Sequence, residues 1–561
     1  YKIENADSIT KNFSIKSKNG EDYYKVMPLG TSQERVSNFN ANIGSPDGLV
    51  VFYNRHHSGG HEGGAVYNEN NTNGYSIYAD FISNSTSSYG GGVRNGRNAD
   101  AIIDKIVGNF INNSGGTVGG AIANGADSNG YNVKINEITG NFIGNHAGNG
   151  GAIHNQRMIG TITGDFLSNS ATSSGAIRNS WGGDSNISSI DKITGNFVSN
   201  KVNDYAGAIF NDLSGYIGDI TGDFILNTAT TNGGAINNNG SSSKITNIIG
   251  NFSHNSAGGG GAIYNLSSGE ISNIAGDFES NSATTNGGAI SNFGGSSKIG
   301  NIAGNFKGNH ANNSGAIHNG GIIENIIGDF ENNSATNMGG AIVNGKTINK
   351  VTGNFTKNSA KSGGVVYNTG TINFVAENGK NITFSGNYVT DESGNGGAIF
   401  NATTGTVGLY ASADHSITFT GDTTGLPSTA NNVDSIHNLK ILNINGDGTI
   451  TPYTGTVNLY TVSDAGTPRG QTNIYGGIVN SNDDFIQKEL NINTGATLNA
   501  DAGNLIITDG INNNGTLNLA GGDSVEEPEM LVSKISGVNG TTNIESGVVN
   551  ANANIEQDII N

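Results

Sequence analysis

The sequence has no cysteine, a single tryptophan and six prolines in 561 residues, and only 13% of its residues are charged. Without Cys there is no disulfide, no thiolate nucleophile and no Cys-ligated zinc. The lack of thiols also suits export through an oxidising compartment, where stray thiols mispair. No proline stands between Asp47 and Leu426, as the unbroken ladders of central strands require. No apolar run reaches the roughly 18 residues of a transmembrane helix. No signal-peptide pattern opens the chain, which starts at Tyr1 and reads as a mature or excised piece. With 27 Lys and Arg against 46 Asp and Glu the net charge is −19. There is no basic stripe to release phosphate counterions, so nucleic acid is not an expected partner.

In excess is glycine, with 88 residues. The low charge, with Ile, Phe and Thr recurring at regular spacing, points to a repeat protein rather than a disordered chain. One copy reads Ile135-Asn-Glu-Ile138-Thr-Gly-Asn-Phe142-Ile-Gly-Asn145, followed by Gly150-Gly-Ala-Ile-His-Asn155. The pattern is I-x-x-[IV]-x-G-[ND]-F-x-x-N, a short spacer, then G-[AGV]-[IV]-x-N. Its Phe recurs from Phe81 to Phe384, and the pentad ends its last copy at Asn401.

Ile135, Ile138 and Phe142 could share a helix face, but Gly and Asn inside every unit, with Ile dominating Leu, oppose helix. Split at a turn, the pattern fits short strands, with Ile138, Gly140 and Phe142 inward and Thr139 and Asn141 outward. Such a unit cannot bury its own apolar face, whereas stacked units can. The expected fold is all-β, a right-handed parallel β-helix, or solenoid, with one repeat per coil. Coils about 4.8 Å apart would each bury about three Ile or Phe side chains, at roughly 1.5–3 kcal/mol each. The recurring Asn suits left-handed corners, and stacked Asn side chains can bond along the axis.

The residue before Phe alternates: Asn141, Asp165, Asn196, Asp223, Asn251, Asp277, Asn305, Asp329, Asn354. In a stack these form one row, where Asp on Asp would repel and an intervening amide would not. Duplication of a two-coil unit gives the same pattern, and residues 220–252 resemble 274–306.

From about Ala402 the pattern shortens to units such as Thr456-Val-Asn-Leu459 and Gly515-Thr-Leu-Asn-Leu519. The expected organisation is an N-terminal cap over 1–40, the main repeat over 41–401, and shorter autotransporter-like repeats over 402–561. The last of these stops mid-repeat, so the natural chain is expected to continue. The G-G-A-[IV] and F-x-x-N tetrapeptides, with Ile382-Thr-Phe-Ser-Gly-Asn387 and Gly515-Thr-Leu-Asn-Leu519, resemble autotransporter passenger domains of the polymorphic membrane protein type known from chlamydiae. The resemblance implies export across the outer membrane by a C-terminal β-barrel and adhesion to host or neighbouring cells. No barrel lies within these residues, and Cys, common in chlamydial members, is absent, so a relative in another bacterial lineage is expected.

Candidate sites are few. His56, His57, His61 and Glu62 form the one dense metal-capable cluster, but they sit in a Gly-rich loop without an H-E-x-x-H pattern, so a solvated loop is expected and no metal. A polysaccharide-cleaving β-helix needs carboxylates gathered in one groove. Here the row Asp are diluted by Asn and the other acids scatter, so no catalytic residue is assigned. The middle pentad residue, as in Tyr67, Arg94, His154, Arg178, Phe210 and Tyr264, is expected to point outward. Loop aromatics in the first half, Trp181, Tyr131, Tyr75 and Tyr216, are the candidate ligand contacts. The expected function is a non-enzymatic, cofactor-free, adhesin-like passenger at the cell surface or secreted, with a cell-surface protein or glycan as partner and self-association through open coil ends. The alternatives are a structural filament or layer subunit and, less favoured, a polysaccharide-processing β-helix enzyme.

Overall fold

In a computed structural model of the chain, residues 36–39, 41–58, 63–125, 131–180, 188–464, 469–500, 504–520 and 534–546 are described. Strand backbone is also described at Lys2–Glu4, Ser14–Lys16, Tyr23–Val26, Met530–Val532, Val549–Ala551, Ile555–Glu556 and Ile559–Ile560. Among the described residues there is no helix. The chain divides into two compact units, one of residues 1–276 with 281–283 and 296–298, the other of 277–280, 284–295 and 299–561. Each is a parallel β-solenoid.

A main-repeat coil has four short strands. In one, the pentad strand Ile153–Asn155 leads to an Ile strand, Met158–Thr163, then a Phe strand, Phe166–Leu167, then a Ser strand, Ser170–Ser174. Each pairs in parallel with its equivalent in the next coil, as Phe166 with Phe197 and Ile177 with Ile209. At the start the chain differs. Lys2–Glu4, Ser14–Lys16 and Tyr23–Val26 pair antiparallel in sequence, and Lys25 then pairs in parallel with Val50.

Parallel pairing in register stacks each residue on its equivalent in the next coil, and in the inward rows that equivalent is usually the same residue type. In the first unit the Phe column runs from Phe52 to Phe252; from Phe81 on, successive rings lie 4.7–4.9 Å apart and within 4° of parallel. In the second unit it runs from Phe278 to Phe419. All these rings are buried, as are the inward Ile or Val of each Ile strand, which supplies most of the apolar stabilisation.

The Asn of F-x-x-N is buried as well. Its side chain turns inward and uses every hydrogen-bonding group it has. Asn169 Nδ2 donates to Asn200 Oδ1 at 3.0 Å and to the Phe142 carbonyl at 2.9 Å. Its Oδ1 accepts from Asn145 Nδ2 and from the Asn145 backbone N–H, both at 3.0 Å. The left-handed corner falls one residue earlier than expected, at Ser168 (φ 53°), Ser199 (φ 55°) and Leu226 (φ 58°). The Asn therefore does not make the turn. It satisfies the turn's backbone from inside, which an Asn side chain at the exposed corner position could not do.

A second buried amide ladder runs through the pentad Asn, Asn68 to Asn265 in the first unit and Asn292 to Asn438 in the second, with Nδ2···Oδ1 distances of 2.8–2.9 Å. The inward Gly expected beside Phe is a corner residue with no room for a side chain. Gly195 has φ 151°, and a Cβ there would lie 1.9 Å from the Gly164 carbonyl oxygen.

In the second unit the F-x-x-N ladder ends on a carboxylate. Asp434 accepts Asn387 N–H and Nδ2 on Oδ1, and Gly386 N–H and Thr420 Oγ1 on Oδ2, at 2.9–3.1 Å. An acceptor-only group suits a ladder end, where no further donor is required. The Ser strand also ends here, with Tyr388–Val389. Beyond it an Asn row continues on the outer face of the coils, Asn458, Asn480, Asn499, Asn518 and Asn543, with contacts of 2.7–2.8 Å.

A mid-ladder change should be costly. Asn169→Ala leaves the Asn145 N–H and one Asn145 Nδ2 hydrogen without an acceptor and takes a donor from the Phe142 carbonyl, while Asn200 Oδ1 keeps the Asn169 N–H. At about 1–3 kcal/mol for each buried orphan, it should destabilise the chain by at least about 3 kcal/mol in denaturant titration. Asn136→Ala, at a half-buried outer Asn of the preceding coil whose Nδ2 meets Asp104 Oδ1, should be nearly neutral. Comparable losses would refute the ladder's role.

Candidate functional site

With the inward rows fixed, chemistry that could reach a partner lies on the outer rows. The Asn/Asp row before Phe is a hydrogen-bonded ladder. Asn196 N–H and Nδ2 donate to Asp165 Oδ1 at 2.8 and 3.1 Å, and Asp223 N–H donates to Asn196 Oδ1 at 3.0 Å. The second unit repeats this with Asp277, Asn305, Asp329 and Asn354. Either residue accepts the next backbone N–H, but only Asn also offers a donor to the carboxylate beside it.

Next to this ladder, the residue after each Phe points outward. In the first unit it is Ile82, Ile111, Ile143, Leu167, Val198 and Ile225, each paired with the next and each half-buried. Tyr53 and Leu226, 48% and 53% exposed, extend this apolar strip. In the second unit the same position is polar: Glu279, Lys307, Glu331, Thr356 and Ser385. The strip was legible as the residue after each repeat Phe, but only an account of the outer row picks it out.

The middle pentad residues point away from the coil interior as expected, but they are covered. Tyr67, Arg94, His154, Phe210 and Tyr264 are all under 9% exposed. Each lies beside the middle pentad residue of the neighbouring coil, and side chains from the corner before the pentad fold over some of them. Arg94 lies 4.8 Å from the Tyr89 ring centroid, and Tyr205 lies 5.8 Å from Phe210. Arg178 donates to Asn149 Oδ1 at 2.6 Å, Ser180 Oγ at 2.9 Å and Asp212 Oδ2 at 3.2 Å. His154 has neither ring nitrogen hydrogen-bonded; burial, with the charges of Arg178 and Arg94, holds its pKa well below the usual imidazole range. In the second unit, burial lowers His318 and His437 to about 4. His318 lies against Phe293, and His437 against Phe400.

Tyr75 opens the strand Tyr75–Ile82, and its ring lies 6.4 Å from Phe39. Tyr131 is half-buried against Ala101 and Val133. Tyr216 opens Tyr216–Thr221, and its hydroxyl accepts from Thr246 Oγ1 at 3.3 Å. The strands beginning at or just after these tyrosines are separated by two and then three coil steps. Tyr75 and Tyr216 are thus about 24 Å apart along the axis at about 4.8 Å per coil, too far for one small-ligand site. Trp181 lies outside the described residues, as do His61 and Glu62. His56 Nδ1 is 2.8 Å from Ser85 Oγ, and among the described residues no three metal-capable side chains cluster. A shallow hollow of about 380 Å³ over the second unit's ladder is lined by Asn305, Asp329, Asn354, Lys380 and Asn381.

Two pH dependences follow. Asn196→Asp and Asn305→Asp would each place three carboxylates in a row, Asp165 to Asp223 and Asp277 to Asp329. Melting temperature should fall more at pH 7 than at pH 3, where protonation removes the repulsion. Equal losses would show that charge is not the reason for the alternation. Separately, His318 and His437 titrate at about 4 when folded and near 6.5 when unfolded. Their contribution is complete above pH ~6.5 and is lost as pH falls toward ~4. A His318→Phe, His437→Phe variant should lose less stability than wild type between pH 7 and pH 4.5 in thermal melts. An unchanged slope would contradict this assignment.

The Chlamydia polymorphic membrane protein repeat matches residues 276–292, 329–345 and 381–402. Each matched segment runs from the Phe strand, or just before it, through the pentad. No curated protein and no solved structure matches the chain. Repeat and fold together make this chain a β-solenoid carrying Chlamydia polymorphic membrane protein repeats, consistent with an autotransporter passenger domain of that surface-exposed type.

Proposed function

We propose that the chain is a non-enzymatic, adhesin-like passenger, exported across the outer membrane and held at or released from the cell surface, that binds host or neighbouring cells. The observation that carries the reading is the aliphatic row Ile82 to Ile225. Contiguous exposed apolar surface marks contact sites, and this row is in register over six coils on a scaffold whose interior is fully committed. Asp80, Asp165 and Asp223 stand in the adjacent ladder. The row therefore suits a cell-surface protein with an apolar centre and a basic rim. Tyr75, Tyr131, Tyr216 and Trp181 are secondary contacts in this reading. The hollow over the second unit's ladder supports the non-enzymatic part. Its carboxylate, Asp329, already holds Asn354 N–H and Nδ2, whereas glycoside hydrolysis uses two acids.

Beads coated with the chain should adhere to epithelial or bacterial cells. Changing Ile111, Ile143, Leu167 and Val198 to Ser should reduce retention at least about tenfold, a loss of about 1.4 kcal/mol, with little change in melting temperature. A parallel Trp181→Ala, Tyr131→Ala variant should give a smaller loss. Full retention by the Ser variant would sink the reading.

A further inference from the structure

We propose that a hollow in the second unit is a binding site for a single neutral hexose ring. The proposal rests on the cell-surface reading above and names one ligand class for it. The middle pentad row of this unit carries Tyr367, Phe400 and His437 one above another, with ring centroids 4.9 and 5.0 Å apart and planes within 5° and 19°. In the next coil the register partner of His437 is Ser463, so the column of rings ends on a side chain with no ring. At the same level the Ser strand has ended at Tyr388–Val389. The chain beyond Phe419 instead passes through residues 420–435, and Asn431 bridges back to Val389 antiparallel.

Ser463, where the ring column stops, lines a hollow of about 260 Å³. It lies just below the range of about 300–1,000 Å³ for small-molecule pockets, which suits one ring rather than a chain of them. Its wall includes Asn395, Thr423, Ser435, Tyr460, Thr461 and Ser463, and no lining residue carries a formal charge. A phosphate, carboxylate or amine would find no counter-charge there. Among the described residues, the side chains of Asn395, Thr423, Tyr460 and Ser463 have no hydrogen-bond partner. Ser435 and Thr461 are already engaged, with Asn432 and Gly397 and with Asp483 respectively. The Tyr460 ring sits in the wall because residue 421 is Gly. Its φ is +64°, and a Cβ there would lie 2.5 Å from the Tyr460 Cζ. His437 Nδ1 is buried beside this level without a partner. The Tyr460 ring in the wall, with the free amide and hydroxyl groups of Asn395, Thr423 and Ser463, matches a pyranose, which has C–H faces and a hydroxylated edge.

Saturation-transfer NMR of the full chain with the methyl glycosides of glucose, galactose, mannose and N-acetylglucosamine tests this. At least one should receive saturation. Asn395→Ala should weaken that ligand about tenfold, and Ser463→Tyr, which extends the ring column into the hollow, should abolish the signal. Both variants should melt within about 2 °C of wild type. Thr423→Ala, on the exposed loop, gives a third arm that spares the coils and should weaken binding several-fold. If no glycoside receives saturation, the ligand class is wrong, and continued bead adhesion then leaves the cell-surface reading standing. If a glycoside binds equally to all three variants, the site is wrong. Loss of bead adhesion in the aliphatic-row variant with glycoside binding intact separates the two readings.

Discussion

The constraint on which this structure rests is self-stacking. Parallel coils in register place each side chain one strand spacing, about 4.8 Å, from its equivalent in the next coil. A residue type that repeats along a row must therefore pack well against a copy of itself. Phe does so face to face. Asn does so because an amide carries both a donor and an acceptor, so each coil satisfies the next. Asp cannot do so without repulsion, and the Asn/Asp row resolves this by alternating. Gly at the corner beside Phe is fixed by the same rule, since any Cβ would meet the carbonyl of the preceding coil.

This division sets what is free to vary. Apolar burial and saturated amide ladders hold the inside, where a single orphaned group is expensive. The outside carries no such requirement, and there the two units differ. The row after Phe is aliphatic through most of the first unit and polar or charged in the second. The middle pentad row is intermediate: it points outward, yet corner side chains cover it, and its histidines remain neutral near pH 7. That row is the outer packing layer of the solenoid rather than a display surface.

The change of cross-section in the second unit is where the ladder logic and binding chemistry meet. Asp434 ends the F-x-x-N ladder by accepting four donors, and the Ser strand ends at Val389. With the fourth side of the coil gone, the wall stays partly open and uncharged polar groups are left without partners. A uniform solenoid offers few concavities. An interruption in its repeat provides one.

The sequence alone determined the coil. Phe and Ile recur with the unit, Asn three residues after Phe recurs with them, and proline is missing from Asp47 to Leu426, so stacking and the identity of the inward rows follow from period and chemistry. It also determined the alternating row, because like charges one strand apart are legible in one dimension. Tertiary structure decided what depends on neighbours from other coils. It moved the left-handed corner one residue ahead of the Asn, because the amide is needed inside. It covered Arg94, His154 and Phe210, because residues such as Tyr89 and Tyr205 fold across them. It set Tyr75 and Tyr216 far apart along the axis, although both resemble loop contacts. It also built the hollow from Asn395, Thr423, Tyr460 and Ser463, drawn from successive coils whose proximity no local pattern encodes.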